Sequence, residues 1–225
     1  MNWKSVIEKY KGYLKIERGL SNNSVVNYLY DIKAILKYYK INTENSSPSD
    51  VTSEELQNFI YEEAKSKSSY SLARRISGLK SFFNYLNYEK IRGDDPSSII
   101  ESPKIGRKLP EVLTIMEIEK IIKSVDMSHP QGQRNIAIIE TLYGSGLRVS
   151  ELINLTISNL FFKEKIIKVI GKGNKQRLIP MGDYSKKHLI NYIKYNRSLG
   201  KIDSIYSDIV FLNRNGKKLT RSMIF

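Results

Sequence analysis

The sequence predicts a mainly α-helical protein with one small β-hairpin or sheet, built as a four-helix unit followed by an α+β unit. Three observations predict it. Apolar residues recur at helical spacing through residues 3–90. A stretch punctuated by proline and glycine, without any period, comes next at residues 97–112. Two β-branched runs, Ile166–Ile170 and Gln176–Pro180, then flank Gly173-Asn174, a turn pair that reads as a hairpin. The 225 residues are enough for two compact domains, and a hydrophobic share of 40% supplies a core for each. The boundaries read as 1–96, a linker over 97–112, and 113–225.

The helices of the first unit come in order. Val6, Ile7, Tyr10, Tyr13 and Leu14 form a stripe over residues 3–18, which Gly19 ends. Ser21-Asn22-Asn23-Ser24 is a cap cluster for a second helix carrying Val25, Tyr28, Leu29, Ile32, Ile35, Leu36 and Tyr39. A polar loop spans residues 42–50. Thr52 or Ser53 caps a third helix, with Glu54 and Glu55 in its first turn, where the helix dipole favours acids. A fourth runs from about Ser69 to Lys90, with Leu72, Ile76, Leu79, Phe82, Phe83 and Leu86 inward and Arg74, Arg75 and Lys80 elsewhere on its surface. Gly93-Asp94-Asp95-Pro96 ends the unit.

In the second unit, Thr114 caps a helix reaching Val125, with Glu117 at the capping-box position. Ile136, Ala137, Ile138, Ile139, Leu142 and Tyr143 are dense enough to read as a buried helix. Gly144 and Gly146 can take positive φ and end it. A short helix restarts at Val149, with Leu152 and Leu155 inward, so Arg148 sits at a junction between packed elements. Its planar, permanent cation can bind two phosphate oxygens at once. The plainer reading is a surface arginine ion-paired to Glu151, but the glycine bracket and the hairpin beyond it favour the phosphate reading. Lys163, Lys165, Lys168, Lys172, Lys175 and Arg177 make that hairpin basic against the single acid Glu164. A lysine on its tip can reach a leaving oxygen and supply a proton. A further helix spans 184–199 with Leu189, Ile190, Ile193 and Leu199 inward, Ile209–Leu212 is extended, and Thr220 begins one more helix.

Lysine and arginine number 37 against 23 acids, a net charge of +14, which favours a polyanionic partner, with nucleic acid the default. The basic linker residues Lys104 and Arg107 can track a DNA backbone. There is no cysteine, so neither a disulfide framework nor a cysteine zinc site is possible. No long apolar span or charged-then-apolar leader competes for a membrane reading, and a cytoplasmic location is the simplest one.

Gly146-Leu147-Arg148-Val149-Ser150-Glu151-Leu152 followed by Gly171-Lys172-Gly173-Asn174-Lys175 resembles the tyrosine recombinase family, in particular its Xer-like bacterial members, and the resemblance extends over nearly the whole chain. It implies a four-helix SAM-like core-binding domain that clamps DNA, then a partial α+β catalytic domain. It implies site-specific recombination of duplex DNA through a 3′-phosphotyrosyl intermediate, without metal or nucleotide cofactor, within a tetramer of protomers. By resemblance Arg148 contacts the scissile phosphate and Lys172 assists departure of the 5′ oxygen. Asn23, Arg74, Arg75, Lys80 and Lys175, with Lys104 and Arg107, are the DNA contacts it suggests.

The family pattern also calls for a His-x-x-Arg motif, a second histidine or tryptophan, and a tyrosine nucleophile. Here His129 is followed three places on by Gly132, and His188 by Asn191. Tyr184, Tyr192, Tyr195 and Tyr206 precede the place where the motif would sit and read as packing or surface residues. The expectation is a recombinase cut off within its catalytic domain. A non-catalytic DNA-binding or accessory protein on the same fold is the alternative, and a type IB topoisomerase-like binder is a third reading, disfavoured by the four-helix unit.

Overall fold

The computed structural model describes residues 1–106, 109–171 and 175–224, and forms two compact units, Met1–Leu109 and Pro110–Phe225. In the first, side-chain caps start each helix. Asn2 accepts from the Ser5 N–H at α1 (Trp3–Ile16), and Ser21 from the Ser24 N–H at α2 (Asn22–Tyr38). Thr52 and Glu55 close a capping box at α3 (Ser53–Ala64), and Ser68 caps α4 (Ser69–Tyr88). α1 and α4 each stop two residues before the ends the periodicity suggests, and the polar loop contributes one 3₁₀ turn, Pro48–Asp50. The whole expected stripe of α4 is buried. Trp3 stacks on Phe82 with ring centroids 5.7 Å apart, and Tyr10 meets Phe82 edge-on at 5.2 Å while its hydroxyl donates to Ser81 Oγ at 2.9 Å. Such pairs add to burial because ring edges are positive and faces negative. Packing continues past Pro96, since Ile100 belongs to this first core.

The expected surface position of Arg75 is corrected. Arg75 is buried between α2 and α3, its Nε 3.1 Å from Glu63 Oε2 and 3.8 Å from Asp31 Oδ1. The cause is Asp31, a fully buried carboxylate on α2 that draws both arginines of α4 towards it; Arg74 hydrogen-bonds the same Oδ1. Helical spacing marks Asp31 as lying between Ile32 and the polar face, and it cannot say that two helices close over it. They close because position 78 on α4 is glycine: a Cβ there would lie 2.0 Å from Asp31 Oδ2.

In the second unit Thr114 and Glu117 form the expected capping box on α5 (Ile115–Lys123). α6 (Gly132–Ser145) buries Ile136, Ala137, Ile138 and Thr141 but leaves Tyr143 exposed, so it is one-sided rather than buried all round. Gly144 stays helical; Gly146, at φ +57°, alone makes the left-handed turn that ends α6. α7 (Val149–Leu152) begins directly after it. β1 (Leu160–Phe161), β2 (Ile166–Ile170) and β3 (Gln176–Pro180) make an antiparallel sheet in that order, so the expected hairpin gains a third strand. Leu160, Ile167 and Val169 turn one face inward, and Val169 pairs with Arg177 and Ile167 with Ile179. α8 (Asp183–Asn191) buries Leu189 as expected, but the single helix over 184–199 breaks into a π-helical turn, Tyr192–Asn196, and a 3₁₀ turn. The wider turn takes an extra residue, which rotates the chain beyond it. Leu199, expected inward, is therefore 85% exposed, while Tyr192 is buried against Phe211. Residues after Thr220 form a 3₁₀ turn, Arg221–Met223, rather than the start of a helix. Among the described residues no helix is long and apolar enough to cross a membrane.

Gly78→Ala should destabilise the first unit by about 1–3 kcal/mol, because the added methyl meets a carboxylate already tied to Arg74 and cannot be relieved by a side-chain rotation alone. Trp3 is the single tryptophan and lies in this core, so its fluorescence in urea follows that unit alone. An unchanged urea midpoint would show that α2 and α4 do not approach this closely.

Candidate active site

Arg148 stands where α6 and α7 meet. Gly146 turns the chain, Leu147 is buried beneath the turn, and Arg148 is extended at φ −72° and ψ 150°. Leu152 is fully buried, so the junction is pinned on both sides. The Arg148 side chain itself is 72% exposed, and among the described residues its guanidinium donates only from Nη1, to Glu151 Oε1 at 3.1 Å. Nε and Nη2 are thus open to an anion. The plain reading of an ion pair with Glu151 and the phosphate reading are both compatible with this geometry, since one nitrogen serves the first and two remain for the second.

Glu151 is the centre of the site. Its side chain is only 4% exposed, and it accepts four hydrogen bonds. Oε1 takes Arg148 Nη1 at 3.1 Å and Arg177 Nη1 at 2.6 Å; Oε2 takes the Arg148 backbone N–H at 2.8 Å and Arg177 Nη2 at 2.8 Å. The sequence counts Arg177 among the residues that make the hairpin basic, and the register shows where it points. Alternation along β3 turns Arg177 to the inner face with Ile179, where it meets Glu151. The signal is present in the sequence as a period of two through Gln176–Pro180, but its meaning needs the partner strand. Lys165 of the hairpin makes a surface ion pair, its Nζ 2.6 Å from Asp183 Oδ1, with both side chains exposed.

The remaining candidates are scattered. Lys172 and Arg107 lie outside the described residues; Gly171, next to Lys172 in the chain, closes the hairpin tip by donating its N–H to the Lys175 carbonyl at 2.8 Å. Lys175 and Lys104 are exposed. Asn23 is exposed in the first turn of α2, Lys80 is half-buried on α4, and Arg74 and Arg75 are brought together around Asp31. Burial pushes the Asp31 carboxyl up, against the opposing pull of Arg74 and Arg75. Among the described residues no group of three or more histidines and carboxylates is placed to hold a metal ion.

The Arg177 fork holds Glu151 at about 2, against the upward push of burial and with further help from Arg148. A depressed carboxyl stabilises the fold above its unfolded value, 4.5, and this stabilisation disappears as pH falls towards 2. Unfolding of the second unit should therefore become easier between those limits, and Glu151→Gln should flatten that part of the profile. Urea midpoints followed by far-ultraviolet circular dichroism at stepped pH test it; parallel profiles for the two proteins would contradict the bridge.

Comparison with known proteins agrees with this architecture. Residues 111–225 match the phage integrase family, and residues 7–90 match the phage integrase N-terminal SAM-like domain. Tyrosine recombinase XerD of Oceanobacillus iheyensis is 36% identical over 216 residues, covering 96% of this chain and 72% of that protein. A lambda integrase dimer bound to a COC′ core site is similar over 100% of this chain and 78% of its own, with a TM-score of 0.73 at 18% identity. A lambda integrase tetramer bound to a Holliday junction is similar over 100% of this chain and 63% of its own, with a TM-score of 0.72 at 18% identity. The two integrase structures share the fold; the sequence match to XerD carries the kinship. A helical SAM-like unit, a second unit matched along its length and more than one third identity to a recombinase lead to one conclusion: the chain belongs to the phage integrase family of tyrosine recombinases.

Proposed function

We propose that this chain binds duplex DNA and belongs to the machinery of site-specific recombination, with Arg148 holding the phosphate at which a strand is cut. The observation that carries this reading is the half-committed guanidinium of Arg148: it is anchored through Nη1 to a buried carboxylate and presents Nε and Nη2 outward from a rigid helix junction. Such a group is preorganised for charge that grows on phosphate oxygens during transfer. In the reaction, a tyrosine oxygen bonds to phosphorus, the bond to the 5′ oxygen breaks, and that oxygen takes up a proton. Lys172 is our candidate for its donor. Asn23, Arg74, Lys80, Lys104, Arg107 and Lys175 are our candidates for backbone contacts; Arg75 supports Arg74 from within the helix bundle through their shared Asp31. We divide the chain functionally at the 97–112 linker, place its action in the cytoplasm, and expect it to act beside further recombinase protomers.

A second reading, DNA binding without cleavage by these residues alone, is favoured by two observations. No tyrosine of these 225 residues follows a His-x-x-Arg, and Tyr192 is buried with its hydroxyl accepting the Leu212 N–H at 3.2 Å. Its burial pushes its hydroxyl up, away from the phenolate form. The chain by itself should therefore leave no covalent adduct on a nicked suicide duplex analysed by denaturing gel. An adduct at Tyr184, Tyr192, Tyr195 or Tyr206 would overturn that assignment.

DNA binding itself is tested by salt. Each phosphate neutralised releases counterions, so log affinity should fall linearly with log salt at a slope of roughly −0.9 per contact. Arg148→Ala should reduce the slope by about 1 and weaken binding uniformly across sequences. Fluorescence anisotropy of a labelled duplex measures both; a flat salt response, or an Arg148→Ala protein indistinguishable from its parent, would count against the phosphate role.

A further inference from the structure

The cation that organises this site is not the one exposed in it. Arg177 is on β3, a different element from Arg148, and its fork faces the two oxygens of Glu151 at 2.6 and 2.8 Å. Each of those oxygens also carries one bond from Arg148, so the carboxylate is shared symmetrically between the helix junction and the sheet. The backbone at Gly171 packs on the same bridge: a Cβ there would touch Arg177 Nη1 at 3.4 Å and Glu151 Oε1 at 3.8 Å. Nothing else among the described residues hydrogen-bonds the Glu151 carboxylate. With Arg177 removed, Arg148 would be the sole cation on a buried carboxylate, and its guanidinium would be drawn inward to satisfy both oxygens, because a buried charge left half-paired is costly.

We propose that Arg177 is a positioning residue of the phosphate site: by satisfying one lone pair on each oxygen of Glu151, it leaves Arg148 held through a single nitrogen and keeps the other donors turned outward for a DNA phosphate. The inference rests on the phosphate-holding reading of Arg148. Its chemistry needs a fork rather than a charge. A lysine at 177 retains the cation but reaches one oxygen at a time, and so leaves the second to recapture Arg148.

A double-mutant cycle on the whole chain tests it, with a labelled non-specific duplex as the probe and anisotropy as the readout. Arg177→Lys should weaken binding roughly three- to ten-fold and lower the salt slope by about 1, as Arg148→Ala does. In the Arg148→Ala background the same Arg177→Lys change should have almost no effect, because the group it positions is gone. Effects that multiply would overturn the inference, since they would mean that Arg177 contacts DNA itself or acts through general stability. Thermal melting of each variant guards against misfolding. If Arg177→Lys fails to fold, Arg177→Gln, which also cannot fork the Glu151 carboxylate, should weaken binding in the parent and have almost no effect in the Arg148→Ala background; effects that multiply would overturn the inference. An Arg148→Ala protein with unaltered affinity would overturn the parent reading, and this one with it.

Discussion

A buried carboxylate between two arginines is the constraint on which the second unit depends. Glu151 joins elements that have no covalent reason to stay in register: the start of α7 and the middle of β3. An ion taken out of water is costly unless its partners are near and its lone pairs are used. Glu151 meets both conditions, with four donors on two oxygens. The same geometry makes the junction directional, because a guanidinium fork matches a carboxylate edge in one plane only.

The first unit contains the contrasting case. Asp31 is also buried and also faces two arginines, yet its Oδ2 has no hydrogen-bond partner among the described residues. Its carboxyl is pushed up where that of Glu151 is pulled down. The difference is not the number of cations but the number of hydrogen bonds, since desolvation acts on both and only Glu151 recovers what burial removes. Asp31 gathers Arg74 and Arg75 at one point of the helix bundle, and the absence of a side chain at Gly78 is what lets α4 come close enough to do it.

These two clusters give the basic surface of the protein a structure that net charge does not express. Of the arginines that contribute to the basic charge, Arg75 and Arg177 are committed to internal carboxylates. Arg74 and Arg148 are the outward members of each pair, half-held and half-open. An arginine anchored by a buried acid loses less side-chain entropy on meeting an anion than an untethered one.

The range of each interaction decides how much of the fold and site is legible in the sequence. The four helices, the Ser21 and Thr52 caps, the Thr114–Glu117 box and both hairpin strands are set by contacts within a few residues, and period and cap chemistry determined them. The Gly-Leu-Arg junction and the hairpin lysines are likewise marked by local pattern, which fixed the candidate site and the family. What local pattern could not decide was which charges meet across the fold. Arg75 is turned from surface to core by Asp31, 44 positions earlier in the chain, and Arg177 towards a carboxylate 26 positions earlier. The outward rotation of Leu199 depends on a π-helical turn that no apolar stripe encodes. Side-chain spacing determined the elements; only the packing of one element against another decided which arginines are anchors and which are turned outward.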